Sequence, residues 1–100
     1  MSISERRKGL RGQQEVQRIV RDAGLTIRKL GGEGDALVDT ASGRRLHLET
    51  KRQERVRLPE WLRQAAEEAP KGAVPVVVFR QSGGAWYAVL PFDDLVRLVS

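Results

Sequence analysis

Two acids and a lysine, Asp35, Glu49 and Lys51, offer the most direct chemistry in this sequence. Glu49 and Lys51 belong to a run, Arg45 to Lys51, that alternates as a half-buried strand does. Leu46, Leu48 and Thr50 point one way, while His47, Glu49 and Lys51 point the other. Asp35 opens a shorter run ending at Thr40, and Ala41-Ser42-Gly43 between the two is a turn-forming cluster. A hairpin closed there brings Asp35 level with the end of the second strand, so both carboxylates and the ammonium converge. Two carboxylates with open oxygen positions beside them suit Mg²⁺, which favours octahedral oxygen ligation and keeps several of its waters. Such an ion activates a water and stabilises charge on a transferring phosphoryl group, and a neighbouring lysine orients the nucleophile or neutralises the transition state. The competing reading is a solvated salt-bridge ladder, because charges alternating on an exposed strand face are common.

The pattern of an aspartate, thirteen residues and Glu-x-Lys, here Gly34-Asp35 and Glu49-Thr50-Lys51, resembles the signature of the PD-(D/E)XK nuclease superfamily. The proline that often precedes the aspartate is absent. The flanks extend the likeness over nearly the whole chain: a helix with an early glutamate (Glu15), a Gly-rich lead-in to Asp35, Leu58-Pro59-Glu60-Trp61-Leu62, a valine strand, and Trp86-Tyr87 before a last helix. Together these resemble the small phage-encoded and archaeal-type Holliday-junction resolvases. That resemblance implies a Mg²⁺-dependent endonuclease, with Mn²⁺ expected to substitute, that cuts branched DNA as a homodimer. It implies that Asp35, Glu49 and the backbone carbonyl of Thr50 hold the metal, that Lys51 positions or activates the attacking water, and that Glu15 completes the site. Asp39 faces the same way as Asp35, but the Gly-Asp context and the spacing to Glu49 favour Asp35. Archaeal relatives tend to carry a serine in the loop before the aspartate, whereas Gly31-Gly32-Glu33-Gly34 has none. Gln64 is a candidate accessory, since superfamily members often have a helical glutamine near the lysine. Two alternatives stand beside this reading: another nicking or restriction-like nuclease of the same fold, and a nucleic-acid-binding module without hydrolysis.

Composition is consistent with a polyanionic partner. The net charge is +5, and fourteen of the eighteen basic residues are arginine, whose planar fork pairs well with phosphate. A GC-rich genome or adaptation to heat would also enrich arginine. Cysteine is absent, which excludes disulfides and thiolate zinc sites. No stretch approaches the roughly 20 apolar residues of a membrane span, and the first residues lack the apolar core of a signal peptide. A cytosolic protein is expected, in the host cytoplasm if phage-encoded.

The chain divides into a basic flexible arm, 1–11, and one nuclease domain, 12–100. Arg6, Arg7, Lys8 and Arg11 in the arm, and Arg52, Arg55 and Arg57 just beyond Lys51, are the candidate phosphate contacts. Val16, Ile19, Val20 and Ala23 follow helical spacing from Gln13, and Gly24 supplies a stop. Leu25 to Leu30 reads as a strand. Pro59 opens a helix whose apolar face is Leu58, Trp61, Leu62, Ala65 and Ala69, with Gln64 outside it. Val74 to Phe79 reads as a strand buried on both faces, Ala85 to Leu90 as a further strand, and Pro91 to Val99 as a last helix. Trp86, Tyr87 and Phe92 are expected to cluster, as core, as a base-stacking platform or as a dimer surface. The order gives an α/β fold: a mixed five-stranded sheet flanked by helices, a restriction-endonuclease-like core. His47, the single histidine, is expected to be a partly buried strand residue or a phosphate contact, since Mg²⁺ prefers oxygen.

Overall fold

The computed structural model describes residues 3–30 and 35–100, and for residues 3–6 and 8 the backbone alone. Chain order is α1 (Ile3–Asp22), β1 (Thr26–Lys29), β2 (Asp35–Asp39), β3 (Arg45–Arg52), α2 (Leu58–Glu68), β4 (Ala73–Arg80), β5 (Tyr87–Val89) and α3 (Phe92–Val99). The strands form one sheet in the order β1-β2-β3-β4-β5. All pairings are antiparallel except β3 with β4, which the α2 crossover makes parallel. The mixed five-stranded sheet and the order of elements are as the sequence implies.

Strand alternation divides the core in two. On one face Val16 of α1 packs with Val38, Leu48, Val74 and Val76, and Val20, Ile27, Leu46 and Trp86 close around them. On the other, Trp61 and Ala65 of α2 cover Val77, with Leu58, Leu62 and Phe79 at the edge. Val77 is fully buried, a side chain whose burial stabilises by about 1.5–3 kcal/mol. Both faces of β4 are thus covered, which explains its nearly unbroken apolar run.

α1 begins at Ile3, so the segment through Arg11 that reads as an arm is helical. Gly12 does not interrupt it. A Cβ there would lie 3.2 Å from Arg52 and 3.2 Å from Trp86, so the glycine lets the helix press against the sheet. The aromatic residues also separate. Trp86 packs on the α1 face, Tyr87 lies 5.9 Å from Phe79 between ring centroids, and Phe92 on α3 is 74% exposed. Neighbouring residues of an extended chain point to opposite faces, which splits Trp86 from Tyr87.

Candidate metal centre

The β2–β3 hairpin closes through Ala41 to Gly43, with Gly43 at φ 84° and its amide donating to the Thr40 carbonyl at 3.0 Å. This turn sets a register in which Asp35 lies directly opposite Glu49, and Leu37 opposite His47. Both pairs point to the α2 face, because their neighbours Ala36, Val38, Leu46 and Leu48 turn toward α1.

Around Glu49 the arrangement is costly in the absence of a cation. Its side chain is 3% exposed; Lys51 Nζ lies 3.6 Å from Oε1, and Oε2 is buried with no hydrogen-bond partner. Burial first, then Asp35 as hydrogen-bond partner and as a second negative charge, push the Glu49 carboxyl from 4.5 up to about 8; Lys51 opposes the rise and Glu68 adds to it. His47 is 1% exposed, with Nε2 at 3.8 Å from Asp35 Oδ2 and Nδ1 unpartnered. It is therefore a buried neighbour of the aspartate and no phosphate contact. Asp39, the rival of Asp35, pairs with Arg45 at 3.0 Å on the exposed end of the hairpin.

A third acid joins the pair. Carboxylate oxygens of Asp35, Glu49 and Glu68 lie within 4.8 Å of one another, a spacing that fits three ligands of one ion. The orphaned Glu49 oxygen and the all-oxygen donor set suit a hard divalent cation. Glu68, at the end of α2, has no motif in the sequence to mark it, although it extends the helix stripe of Trp61 and Ala65 at the next turn. Gln64 donates from Nε2 to Glu68 Oε1 at 3.1 Å, so the candidate accessory reaches the site through that glutamate.

Glu15 lies elsewhere. Its Oε2 accepts from Arg80 Nη1 at 2.8 Å and from Trp86 Nε1 at 3.0 Å, on the α1 side of the sheet. The Trp86 hydrogen bond lowers its pKa most, with the Arg80 and Arg52 charges adding to the fall and desolvation opposing it. The helix that carries Glu15 packs on Leu48 and Val76, whereas Asp35 and Glu49 face away from it. Glu15 is thus a tie between α1 and β4 and no member of the carboxylate group. An apolar hollow of about 260 Å³ between α1 and the sheet, walled by Val16, Val20, Leu48, Val76 and Trp86, is also on the side away from the acids.

Of the candidate phosphate contacts, Arg7, Arg11, Arg55 and Arg57 are exposed. Arg57 Nη1 is 3.7 Å from Glu60. Arg52 is half-buried, its stem against Gly12 and its Nε enclosed without a partner. Glu54 ties the same loop to the β4–β5 turn, its carbonyl accepting from Gln81 Nε2 at 2.6 Å and its carboxylate from the Ser82 hydroxyl. The Arg6 and Lys8 side chains, and Glu33 with its glycines, lie outside the described residues. Among the described residues no helix is long and apolar enough to cross a membrane.

No protein-family model matches this sequence, and no curated protein matches it. Among solved structures, the chain is similar to Hjc of Archaeoglobus fulgidus, described as a Holliday junction resolvase from an archaeal hyperthermophile. The match has a TM-score of 0.59 and 17% sequence identity, and covers 83% of this chain and 72% of that one. The shared feature is the fold: a mixed sheet with helices on both faces.

Proposed function

We propose that this protein is a Mg²⁺-dependent, structure-selective DNA endonuclease that resolves four-way junctions by paired phosphodiester hydrolysis. The observation that carries this reading is the convergence of Asp35, Glu49 and Lys51 on one sheet face, with a buried Glu49 oxygen that has no partner. Similarity of fold to a Holliday junction resolvase and the net charge of +5 support a branched DNA substrate.

Asp35 and Glu49, with the Thr50 carbonyl, would hold the ion. Bound there, Mg²⁺ would supply Lewis acidity to a phosphoryl oxygen and lower the pKa of a water. Lys51, 3.6 Å from Glu49, would orient the attacking water and offset negative charge on the phosphate. His47 lies buried beside Asp35, its Nε2 at 3.8 Å from Oδ2. Arg55 and Arg57, exposed just past the metal strand, grip the phosphates of the scissile strand, and Arg7 and Arg11 extend the basic surface along α1.

Resolution requires two cuts on opposing strands, and one chain has a single group of this kind among its described residues. A two-fold homodimer supplies two. Its surface is α3, where Phe92, Leu95, Val96 and Val99 are all exposed, together with Tyr87 at 61% exposure.

Incubating the protein with four-way, linear duplex and single-stranded DNA, with and without Mg²⁺, tests the reading. Symmetric cuts near the branch, present only with the metal, are expected. Equal cutting of linear duplex would indicate a general nuclease, and binding without cutting in any metal a non-catalytic module.

A further inference from the structure

Resting on that reading, we infer that Glu68, delivered by α2, is a third carboxylate ligand of the metal beside Asp35 and Glu49, and that Gln64 is its positioning residue.

Local sequence brings Glu68 to the sheet. Trp61 and Ala65 are the buried residues of α2, and Glu68 follows Ala65 by three positions, so it continues the face that packs on β4. A carboxylate there, in place of an apolar residue, meets Asp35 and Glu49 across the edge of the core. Gln64 is one turn earlier, and the hydrogen bond its Nε2 donates to Oε1 leaves Oε2 of Glu68 as the oxygen for the ion.

The electrostatics of this end of the helix favour a cation. A helix C-terminus carries a partial negative charge that a basic residue normally offsets. The last turn of α2 holds Glu67 and Glu68 and no basic residue. Arg63 is 3.5 Å from Glu67, which leaves Glu68 to face the two sheet carboxylates. The negative end of the helix dipole, three acids and an unpartnered carboxylate oxygen of the 97% buried Glu49 therefore converge, with Lys51 the one ammonium beside them among the described residues. A divalent ion resolves that excess; a single lysine does not.

The test is Mn²⁺ binding to the full chain without DNA, followed by calorimetry or by the loss of the free-ion paramagnetic resonance signal. Glu68→Gln is expected to weaken binding by more than about tenfold, and Gln64→Leu by roughly tenfold. Glu67→Gln removes the same charge from the same helix end and is expected to change affinity less than about twofold, which separates ligation from general attraction. Both positions lie on the exposed end of a helix, and a thermal melt confirms that each variant folds. If Glu68→Gln binds as Glu67→Gln does while Asp35→Asn loses the ion, this inference fails and the proposed nuclease site stands. If wild type binds no Mn²⁺, both fail. If Mn²⁺ binding depends on Glu68 but junctions are never cut, the ligand assignment holds and the proposed function fails.

Discussion

Asp35 and Glu49 occupy directly opposed positions of the β2–β3 ladder, both turned toward α2, so two carboxyl groups share a site where Glu49 is buried and ionising both is costly. Like charges across a ladder are destabilising. A fold that keeps them so placed carries a cost that a bound cation offsets.

The cost has a pH signature. The folded pKa of Glu49, about 8, lies above the unfolded value of 4.5. The folded protein therefore retains a proton that the unfolded chain gives up across this window. The contribution is fully present below 4.5 and is lost as the pH rises to about 8. In EDTA the melting temperature of wild type should fall through that range more than that of Glu49→Gln, which has no such group. Saturating Mn²⁺ should flatten the wild-type profile. Identical profiles for wild type and variant in EDTA would contradict the assignment.

Glu15 should behave as a structural residue. Replacing it by Ala removes acceptors for Arg80 and Trp86, a loss on the order of 1–3 kcal/mol. Its folded pKa is lowered, so its contribution is present above the unfolded value and is lost as the pH falls through the folded one. Denaturant unfolding at neutral and acid pH should show the difference shrinking in acid. Mn²⁺ affinity should be unchanged; a large loss would return Glu15 to the metal site.

Much of this was legible from alternation and turn chemistry. The turn at Gly43 and the two-residue period of Arg45 to Lys51 together determine that Asp35 meets Glu49. The same period separates Trp86 from Tyr87, though sequence adjacency suggests a cluster. Alternation does not say which helix covers which face, so the resemblance sets Glu15 with the acids although α1 packs on the opposite side. Glu68 gives no such signal in the sequence, because Ala69 extends the apolar stripe equally well by spacing and a charged residue beside it looks like the end of the stripe. Gly12 lies inside α1, where its role is close approach to Arg52 and Trp86.

Salt dependence checks the DNA surface. Replacing Arg55 and Arg57 by Ala should lower the log–log slope of junction affinity against salt by about 0.9 per lost phosphate contact. The exposed Arg57–Glu60 pair contributes little to stability, so the melting temperature should hardly move. An unchanged slope would place the binding face elsewhere.

Dimerisation is tested on α3. Phe92→Asp with Val99→Asp places two charges on the exposed apolar face and should yield a monomer by sedimentation at micromolar concentration. Mixed dimers of wild type with Asp35→Asn should nick one strand and leave its opposite intact. A wild-type monomer on the junction, or full resolution by such mixed dimers, would contradict the two-fold unit.

The most direct measurement is cleavage of one labelled four-way junction by wild type and by Asp35→Asn, with affinity for the same junction determined in Ca²⁺. The account predicts Mg²⁺-dependent paired cuts by wild type and a loss of more than about a hundredfold in rate for the variant, with junction affinity retained. Cutting by Asp35→Asn at the wild-type rate, or wild-type cutting that persists in EDTA, would contradict it.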